Sequence, residues 1–441
     1  MAKKTKAANL SIEEKLEQAL IVPGYEPYKI PDNWCWTNLK TVCNLDNGIK
    51  HNNESLVYFD AKTLREITEP VSRNSGVIVE KGQKVILVDG ENSGEVFVIP
   101  DRGYMGSTFR ILNISKQFDE MYIRYFIDIF REELKKNKIG SAIPHLNKEL
   151  FYGLQFPLPP LPEQQRIVER IESLFSKLDE AKEKAQEVIN SFETRKAAIL
   201  HKAFSGELTA KWREENGVGI ESWESTKIGN MLTEIKYGTS EKSDYSFDGI
   251  PVFRIPNISD MTLIFDDVKK IQRQECSENE YLSENDILII RSNGSKELVG
   301  KCALVPKINF KCTYASFLIR LRMKDSISSL YTVWYLTSEQ ARKQLFNKAK
   351  SSAGIHNINS KEISDISIVV PSKPEQNIIT ATLERLITKE KETVIFAESV
   401  IDQIDAMKKA ILARAFRGEL GTNDPKEESA VELLKQILSG E

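Results

Sequence analysis

The sequence predicts a mixed α/β (α+β) fold: two tandem-repeat globular domains separated by two long helices packed as an antiparallel coiled coil, in a pseudo-two-fold arrangement. Three observations predict it. One segment recurs at a fixed offset. The same segment carries a 4-3 apolar spacing, and the stretches before it alternate β-rich runs with turn clusters.

The repeat comes first because it sets the domain count. Lys196-Ala-Ala-Ile-Leu-His-Lys-Ala-Phe-Ser-Gly-Glu-Leu208 returns as Lys408-Lys-Ala-Ile-Leu-Ala-Arg-Ala-Phe-Arg-Gly-Glu-Leu420, identical at nine of thirteen positions and offset by 212. At the same offset Pro162-Glu163-Gln164 returns as Pro374-Glu375-Gln376, so 47 residues align without a gap. Upstream the likeness is weaker: Trp34 with Leu39 and Val42 resembles Trp223 with Ile228 and Met231. The segment Ser141 to Asn147, containing His145, resembles Ser352 to Asn359, containing His356. A period near 200 residues is too long for a solenoid and reads as a duplicated domain. The expected divisions are an N-terminal helix or arm (1–23), a first variable domain (24–158), a central helical spacer (159–215), a second variable domain (216–371), a distal helical spacer (372–420) and a helical tail (421–441).

The constant blocks are helical. Ile167, Ile171, Leu174, Leu178, Ala181, Ala185, Val188 and Phe192 follow a coiled-coil seam. The second copy keeps it at Ile379, Leu383, Leu386, Ala397, Val400, Ile404, Met407 and Ile411, interrupted by Glu390 and Thr393. Pro162 and Pro374 suit a first helical turn, and Gly206 and Gly418 suit C-terminal caps. A helix from Pro162 to Phe204 would span roughly 65 Å at ~1.5 Å per residue. Because a globular domain intervenes, the chain can return and pair the two helices antiparallel. A coiled coil between two chains is the alternative; the matched lengths and shared register favour pairing within one chain.

The variable parts read as strands at 77–79, 85–88, 96–99, 287–290 and 317–319, with helical patterns at 119–137 and 328–347. Residues 24–158 hold 17 Lys+Arg against 18 Asp+Glu, and residues 222–371 hold 20 against 18, so neither is strongly basic.

Composition removes several classes. A length of 441 residues implies two or three domains, and a formal net charge of −3 excludes a highly basic nucleic-acid coat. No apolar run reaches the ~18–20 residues that cross a bilayer, and Met1 to Lys6 is basic without the apolar stretch of a signal peptide. The five cysteines (Cys35, Cys43, Cys276, Cys302, Cys312) form no C-x-x-C pair, which fits a reducing cytoplasm and argues against zinc.

Catalytic signals are mostly missing. Gly294-Ser-Lys-Glu-Leu-Val-Gly300-Lys301-Cys302 imitates a phosphate loop, but it has five residues between the glycines and Cys302 where a magnesium-binding Ser/Thr belongs. It reads as strand-turn-strand. Glu13-Glu14-Lys15 and Glu180-Ala181-Lys182 lie on predicted solvent-facing helices, where adjacent groups do not converge. His145 and His356 are isolated loop residues whose recurrence hints at a shared role. No catalytic residue, metal or cofactor is expected.

The repeated Leu158-Pro-Pro-Leu-Pro-Glu-Gln-Gln-Arg-Ile-Val168, its weaker partner Val370-Pro-Ser-Lys-Pro-Glu-Gln-Asn-Ile-Ile379 and the two Ala-Phe-x-Gly-Glu-Leu blocks resemble the specificity (S) subunit of type I restriction–modification systems. Asn377-Ile378 departs from the first copy's Gln165-Arg166. The resemblance covers essentially the whole chain. It implies two target-recognition domains, binding to double-stranded DNA without catalysis, and recruitment of two copies of an adenine-N6 methyltransferase (M) subunit. Those would assemble with restriction and translocation (R) subunits, in the cytoplasm and away from any membrane. Near-neutral charge makes the subunit alone a weak non-specific binder, so the partners should supply much of the grip.

Arg and Lys read guanine and Asn and Gln read adenine in the major groove, so polar, basic and aromatic loop residues are the base-contact candidates. In the first domain these are Lys50, His51, Asn52, Arg73, Asn74, Asn92, Arg102, Tyr104 and Arg110. In the second they are Lys236, Tyr237, Lys242, Arg254, Asn257, Arg291, Asn293 and Lys296. Two rival classes remain: a self-contained restriction–methylation enzyme, against which the missing motifs count, and a protein-only scaffold, for which two elaborate variable domains are superfluous.

A helical spacer should act as a ruler. Four residues inserted near Ala181 lengthen a helix by ~6 Å, close to two base pairs. Methylation mapping of an active variant should show a spacer longer by about one or two base pairs with unchanged half-sites; an unchanged spacer rejects the ruler.

Overall fold

Residues 11–140, 144–348, 350–352 and 355–439 are described by a computed structural model. Within the two matching His145 and His356 segments, Ser141, Ala142, Ile143, Ala353 and Gly354 lie outside the described residues, as does the basic Met1 to Lys6 stretch. Helices named below are α1 (Ile12–Ala19), α2 (Leu161–Asn190), α3 (Phe192–Phe204), α4 (Lys373–Ala415) and α5 (Ala430–Ser439). The first long helix is thus interrupted at Ser191, whereas the second runs unbroken for 43 residues. The cause is local: the Ser191 hydroxyl donates back to the Glu187 carbonyl (2.6 Å), a bond that bends helices, and Arg195 Nη1 donates to the Val188 carbonyl (3.1 Å). Gly206 (φ 86°) and Gly418 (φ 72°) adopt the left-handed conformation just beyond α3 and α4, as C-terminal caps require.

The chain divides into two units, Met1–Ala185 with Ser399–Glu441, and Gln186–Glu398. In the first, the strand Cys35–Asn38 pairs antiparallel with Gln155–Leu158, which leads into α2. An antiparallel sheet runs in the order Cys43–Asp46, Phe109–Ile114, Lys84–Leu87, Val96–Val98. Beside it β1 (Lys50–Phe59), β2 (Val71–Val79) and β3 (Gly103–Met105) each bond to both others, β3 running parallel to β1. α2 and α4 pair antiparallel here, since Asp179 meets Lys408 (2.5 Å) and Lys182 meets Asp405 (2.8 Å). Exposed pairs of this kind set direction more than stability.

The second unit repeats this plan. Glu224–Lys227 pairs with Ser367–Val370. A six-stranded sheet runs Leu232–Tyr237, Leu318–Met323, Ile287–Ile290, Cys302–Leu304, Met261–Leu263, Ile258–Ser259. Pro251–Phe253 runs parallel to Thr313–Tyr314, as β1 does to β3. Glu390, which breaks the apolar seam, is met by Arg195 of α3 at 2.6 Å. The imitation phosphate loop is a turn, and Cys302 is buried in the strand that follows it.

Each Pro-Glu-Gln motif closes its unit from inside. Glu163 is buried and accepts from the Trp34 indole (2.7 Å), Asn423 (2.8 Å) and the Thr422 hydroxyl (3.4 Å). Burial pushes its carboxyl above the ordinary range, and the bonds from Trp34 and Asn423 pull it back. Glu375, equally buried, accepts from the Trp223 indole (3.0 Å), Thr209 (2.6 Å) and Arg213 (2.7 Å). The neighbouring glutamines also match. Gln164 accepts from the N-cap amide of Asp119 (2.9 Å), and Gln376 from that of Ser328 (2.7 Å). Arg166 forks onto Glu427 at 2.8 and 2.9 Å, a bond for which the second copy's Ile378 has no counterpart.

The repeated phenylalanines plug the same helices. Phe416 lies against Tyr122 and Phe126 with centroids 4.8 and 5.4 Å away, and Phe204 against Tyr331 and Tyr335 at 5.4 and 5.2 Å. Each structural unit therefore takes its closing phenylalanine from the other sequence copy. The terminal helices pack together: Leu16 and Leu20 of the α1 region share a core with Ala430 and Leu434 of α5. Asn33 accepts from the Ala430 amide (2.9 Å) and Lys15 bonds the Leu438 carbonyl (3.3 Å).

Removing the Glu375 carboxylate leaves the Arg213 guanidinium buried and unpaired. Glu375→Ala should destabilise the second unit by about 3–5 kcal/mol, read from urea unfolding followed by tryptophan fluorescence in a variant that keeps Trp223 and has Phe at the other four tryptophans. A circular permutant joining Glu441 to Met1 by a short linker and opened near the exposed Gly217 should fold with a urea midpoint close to that of the parent. A large loss of stability would show that the packed terminal helices tolerate no such junction.

Candidate nucleic-acid interface

In the first unit, antiparallel pairing sets Lys50 opposite Val77, Asn52 opposite Ser75 and Leu56 opposite Arg73, with a register shift between Asn52 and Leu56. Side chains alternate along strands, so these residues and Tyr58 share one face of β1 and β2. All of them except Leu56 line an open groove of about 730 Å³, together with Asn47, Ser107 and Arg110. The guanidinium of Arg73 lies over the Tyr58 ring, 3.4 Å from its centroid. Gly76 lets the hairpin sit on Tyr104, since a Cβ there would come within 2.8 Å of that side chain.

The nine residues nominated in this domain therefore separate. Lys50, Asn52, Arg73 and Arg110 converge on the groove. His51 and Asn74 are exposed, and strand alternation turns them to the other face. Arg102 is engaged by Glu54 (3.2 Å) and Glu80 (3.3 Å). Asn92 is half-buried in the turn after Lys84–Leu87, where its carbonyl accepts from the Glu95 amide. Tyr104 corrects the expectation of a base contact: it is fully buried, and its hydroxyl donates to the Glu54 carbonyl (3.0 Å). A β3 position between two partner strands leaves its ring no solvent face. Tyr58 is not among the sequence-predicted contacts; strand register within β1, which also carries Lys50 and Asn52, brings it to the groove.

In the second unit a smaller groove, about 260 Å³, lies between the loop after Leu232–Tyr237 and the turn before Leu318–Met323, and includes Arg254 and Phe317. Its place in the sheet matches the first groove, which lies after Cys43–Asp46 and before Phe109–Ile114. Its chemistry differs. Arg254 is held by Asp267 (3.1 Å), and Phe317, which was not nominated, is 57% exposed. Tyr237 is exposed with Arg291 stacked 4.7 Å from its centroid, and Arg291 donates to Asn357 (3.3 Å) and Ser316 (3.4 Å). Lys236 pairs with Glu234 (2.7 Å), while Lys242 is exposed on the loop that follows. Lys296 lies over Phe346, 5.3 Å from its centroid. Asn293 accepts from the Ser295 amide (2.8 Å) and faces His356 across a strand pair. Asn257 is the second correction: fully buried, it accepts from the Arg254 amide (2.8 Å) and donates to the Ile264 (3.1 Å) and Asp267 (2.9 Å) carbonyls, stapling a loop. The recurring histidines each bridge two segments: His145 makes isolated β-bridges to Asp89 and Ile139, its Nδ1 2.7 Å from the Asp89 carboxylate, and His356 pairs with Asn293 and Ser351.

Along the nominated seam Ile167, Ile171, Ile379, Leu383 and Ile404 are buried, and Leu174, Leu178, Val188, Phe192, Leu386 and Val400 are half-buried. Met407 is 49% exposed, a departure from its seam assignment; the helix buries Ile404 and Leu412 there instead. Among the described residues no group of three His, Cys, Asp or Glu is placed to hold a metal, and no helix is long and apolar enough to cross a membrane. The buried thiols of Cys35, Cys43, Cys302 and Cys312 are pushed up to about 12 by burial, which leaves them inert.

The type I restriction modification DNA specificity domain model matches residues 31–191 and again 220–395. The chain belongs to this family. Type I specificity subunits are its relatives along most of its length. It is 26% identical over 429 residues to the EcoKI specificity subunit of Escherichia coli K12, covering 89% of this chain and 90% of that one. It is 25% identical over 428 residues to the StySPI specificity subunit of Salmonella potsdam, covering 89% and 90%. Among solved structures, a chain from a study of assembly and conformational transition of the type I R-M system superposes with a TM-score of 0.67 at 20% identity, covering 89% of this chain and all of that one. The HsdS subunit of Thermoanaerobacter tengcongensis gives 0.59 at 20% identity, covering 89% and 99%. These two likenesses concern the fold. This type I specificity subunit thus carries two target-recognition domains of one plan with differently lined grooves.

Proposed function

We propose that this specificity subunit reads a bipartite, asymmetric DNA target, one half-site per variable domain (24–158 and 216–371), and performs no chemistry itself. The observation that carries the reading is the pair of topologically matching grooves with different linings, basic in the first domain and aromatic with a neutralised arginine in the second. One fold with two linings suits two different short sequences. The same reading has two adenine-N6 methyltransferase (M) subunits and the restriction (R) subunits recruited by the repeated helical spacers (159–215 and 372–420), with spacer length setting the distance between half-sites. Base flipping and methyl transfer then belong to the M subunits.

Exchanging residues 222–371 for those of another family member tests it. Mapping of N6-methyladenine should show one half-site replaced and the other retained, with no methylation by the purified chain alone in the presence of labelled S-adenosylmethionine. Alteration of both half-sites would reject the division of labour, and methyl transfer by the chain alone would reject the non-catalytic role.

A further inference from the structure

We infer that Arg73, whose guanidinium lies over the Tyr58 ring, reads a guanine in the half-site bound by the first domain. The inference rests on the DNA-reading function proposed above and names the base and the side chain.

Stacking uses the π face of a guanidinium and leaves its edge N–H groups free to donate. Arg73 is placed for this by strand register. It faces Leu56, and Tyr58 is the next residue on the same face of β1, so the ring supports the guanidinium from one side. Among the described residues nothing is hydrogen-bonded or ion-paired to Arg73. The other nominated arginines are engaged: Arg102 by Glu54 and Glu80, Arg110 by the carbonyls of Ser107 (3.2 Å) and Phe109 (2.7 Å), Arg254 by Asp267, and Arg291 by Asn357 and Ser316. Arg73 thus combines support from the Tyr58 ring with an unused donor fork.

Guanine is the base whose major-groove edge offers two acceptors, O6 and N7, spaced to meet such a fork. A phosphate can also accept a guanidinium fork, but it carries no sequence information, so the two contacts are told apart by whether the loss at Arg73 is confined to one base position. Lys50, exposed in the same groove, suits a phosphate contact. Among the described residues, Arg254 is the arginine lining the matching groove of the second domain, and its Nη2 is already held by the Asp267 carboxylate and carbonyl, so the inference is confined to the first domain.

The test uses the full chain assembled with its methyltransferase subunit, mapping methylated adenines for the wild type, Arg73→Lys and Tyr58→Leu. The wild type should show a fixed guanine in one half-site. Arg73→Lys should relax that one position, lowering preference for guanine by roughly five- to a hundredfold, and leave the other half-site intact. Tyr58→Leu should relax the same position less. A duplex carrying 7-deazaguanine there, which lacks the N7 acceptor, should weaken binding by the wild type and make little difference to Arg73→Lys. A motif unchanged in Arg73→Lys overturns the inference, and so does an equal loss across all sequences, which marks a phosphate contact. A wild type with no bipartite motif overturns the function proposed above, and this inference with it; a bipartite wild-type motif with no position sensitive to Arg73 overturns this inference alone.

Discussion

A buried carboxylate needs donors on every side, and that requirement organises both units of this specificity subunit. Glu163 and Glu375 are fully removed from solvent. An ionised carboxylate in such a place is costly unless its oxygens are satisfied. Each therefore draws donors from separate stretches of chain: an indole from the beginning of the variable domain, and side chains from the segment that follows the Gly-Glu-Leu of the other helix. The adjacent glutamine adds the N-cap of a variable-domain helix. One dipeptide so fastens a strand, two helices and a return segment at a single point. The arginine that completes this arrangement differs between copies. Arg213 reaches Glu375 itself, whereas Arg166 binds Glu427 and steadies the segment carrying Thr422 and Asn423.

The same fastening explains why structural units and sequence copies are out of step. Phe204 belongs to the first copy and packs against Tyr331 and Tyr335 of the second unit; Phe416 belongs to the second copy and packs against Tyr122 and Phe126 of the first. Each unit is completed by the far end of the other copy's helix. The helices flanking the chain ends, α1 and α5, then share a core in the first unit, where Leu16 and Leu434 contribute to it. Residues lining the two grooves lie outside the repeated blocks, so they can differ between copies without disturbing the closure.

Much of this was legible in the chain. Duplication, the long helices, the glycine caps and the main strands follow from repetition and periodicity, because hydrophobic spacing reports which residues share a face. Spacing does not report which neighbour covers that face. Met407 keeps the heptad register yet stands half exposed, and Glu390 breaks it yet is satisfied by Arg195. Tyr104 and Asn257 sit in polar, turn-rich stretches that suggest contact with a ligand, and both are spent inside the protein, on the Glu54 carbonyl and on a loop staple.

By itself the sequence determined the family, the two-copy plan and the residue types available for reading DNA, since these depend on identity and order along the chain. Only the tertiary structure decided which of those residues are free to act. Arg73 and Tyr58 are neighbours through strand register and a bulge, Arg254 and Asp267 through a loop closure, and the Glu-Trp contacts through chain segments some 130 to 150 residues apart in sequence. Side-chain availability is settled by what else comes within hydrogen-bonding distance, and that is a property of packing in three dimensions.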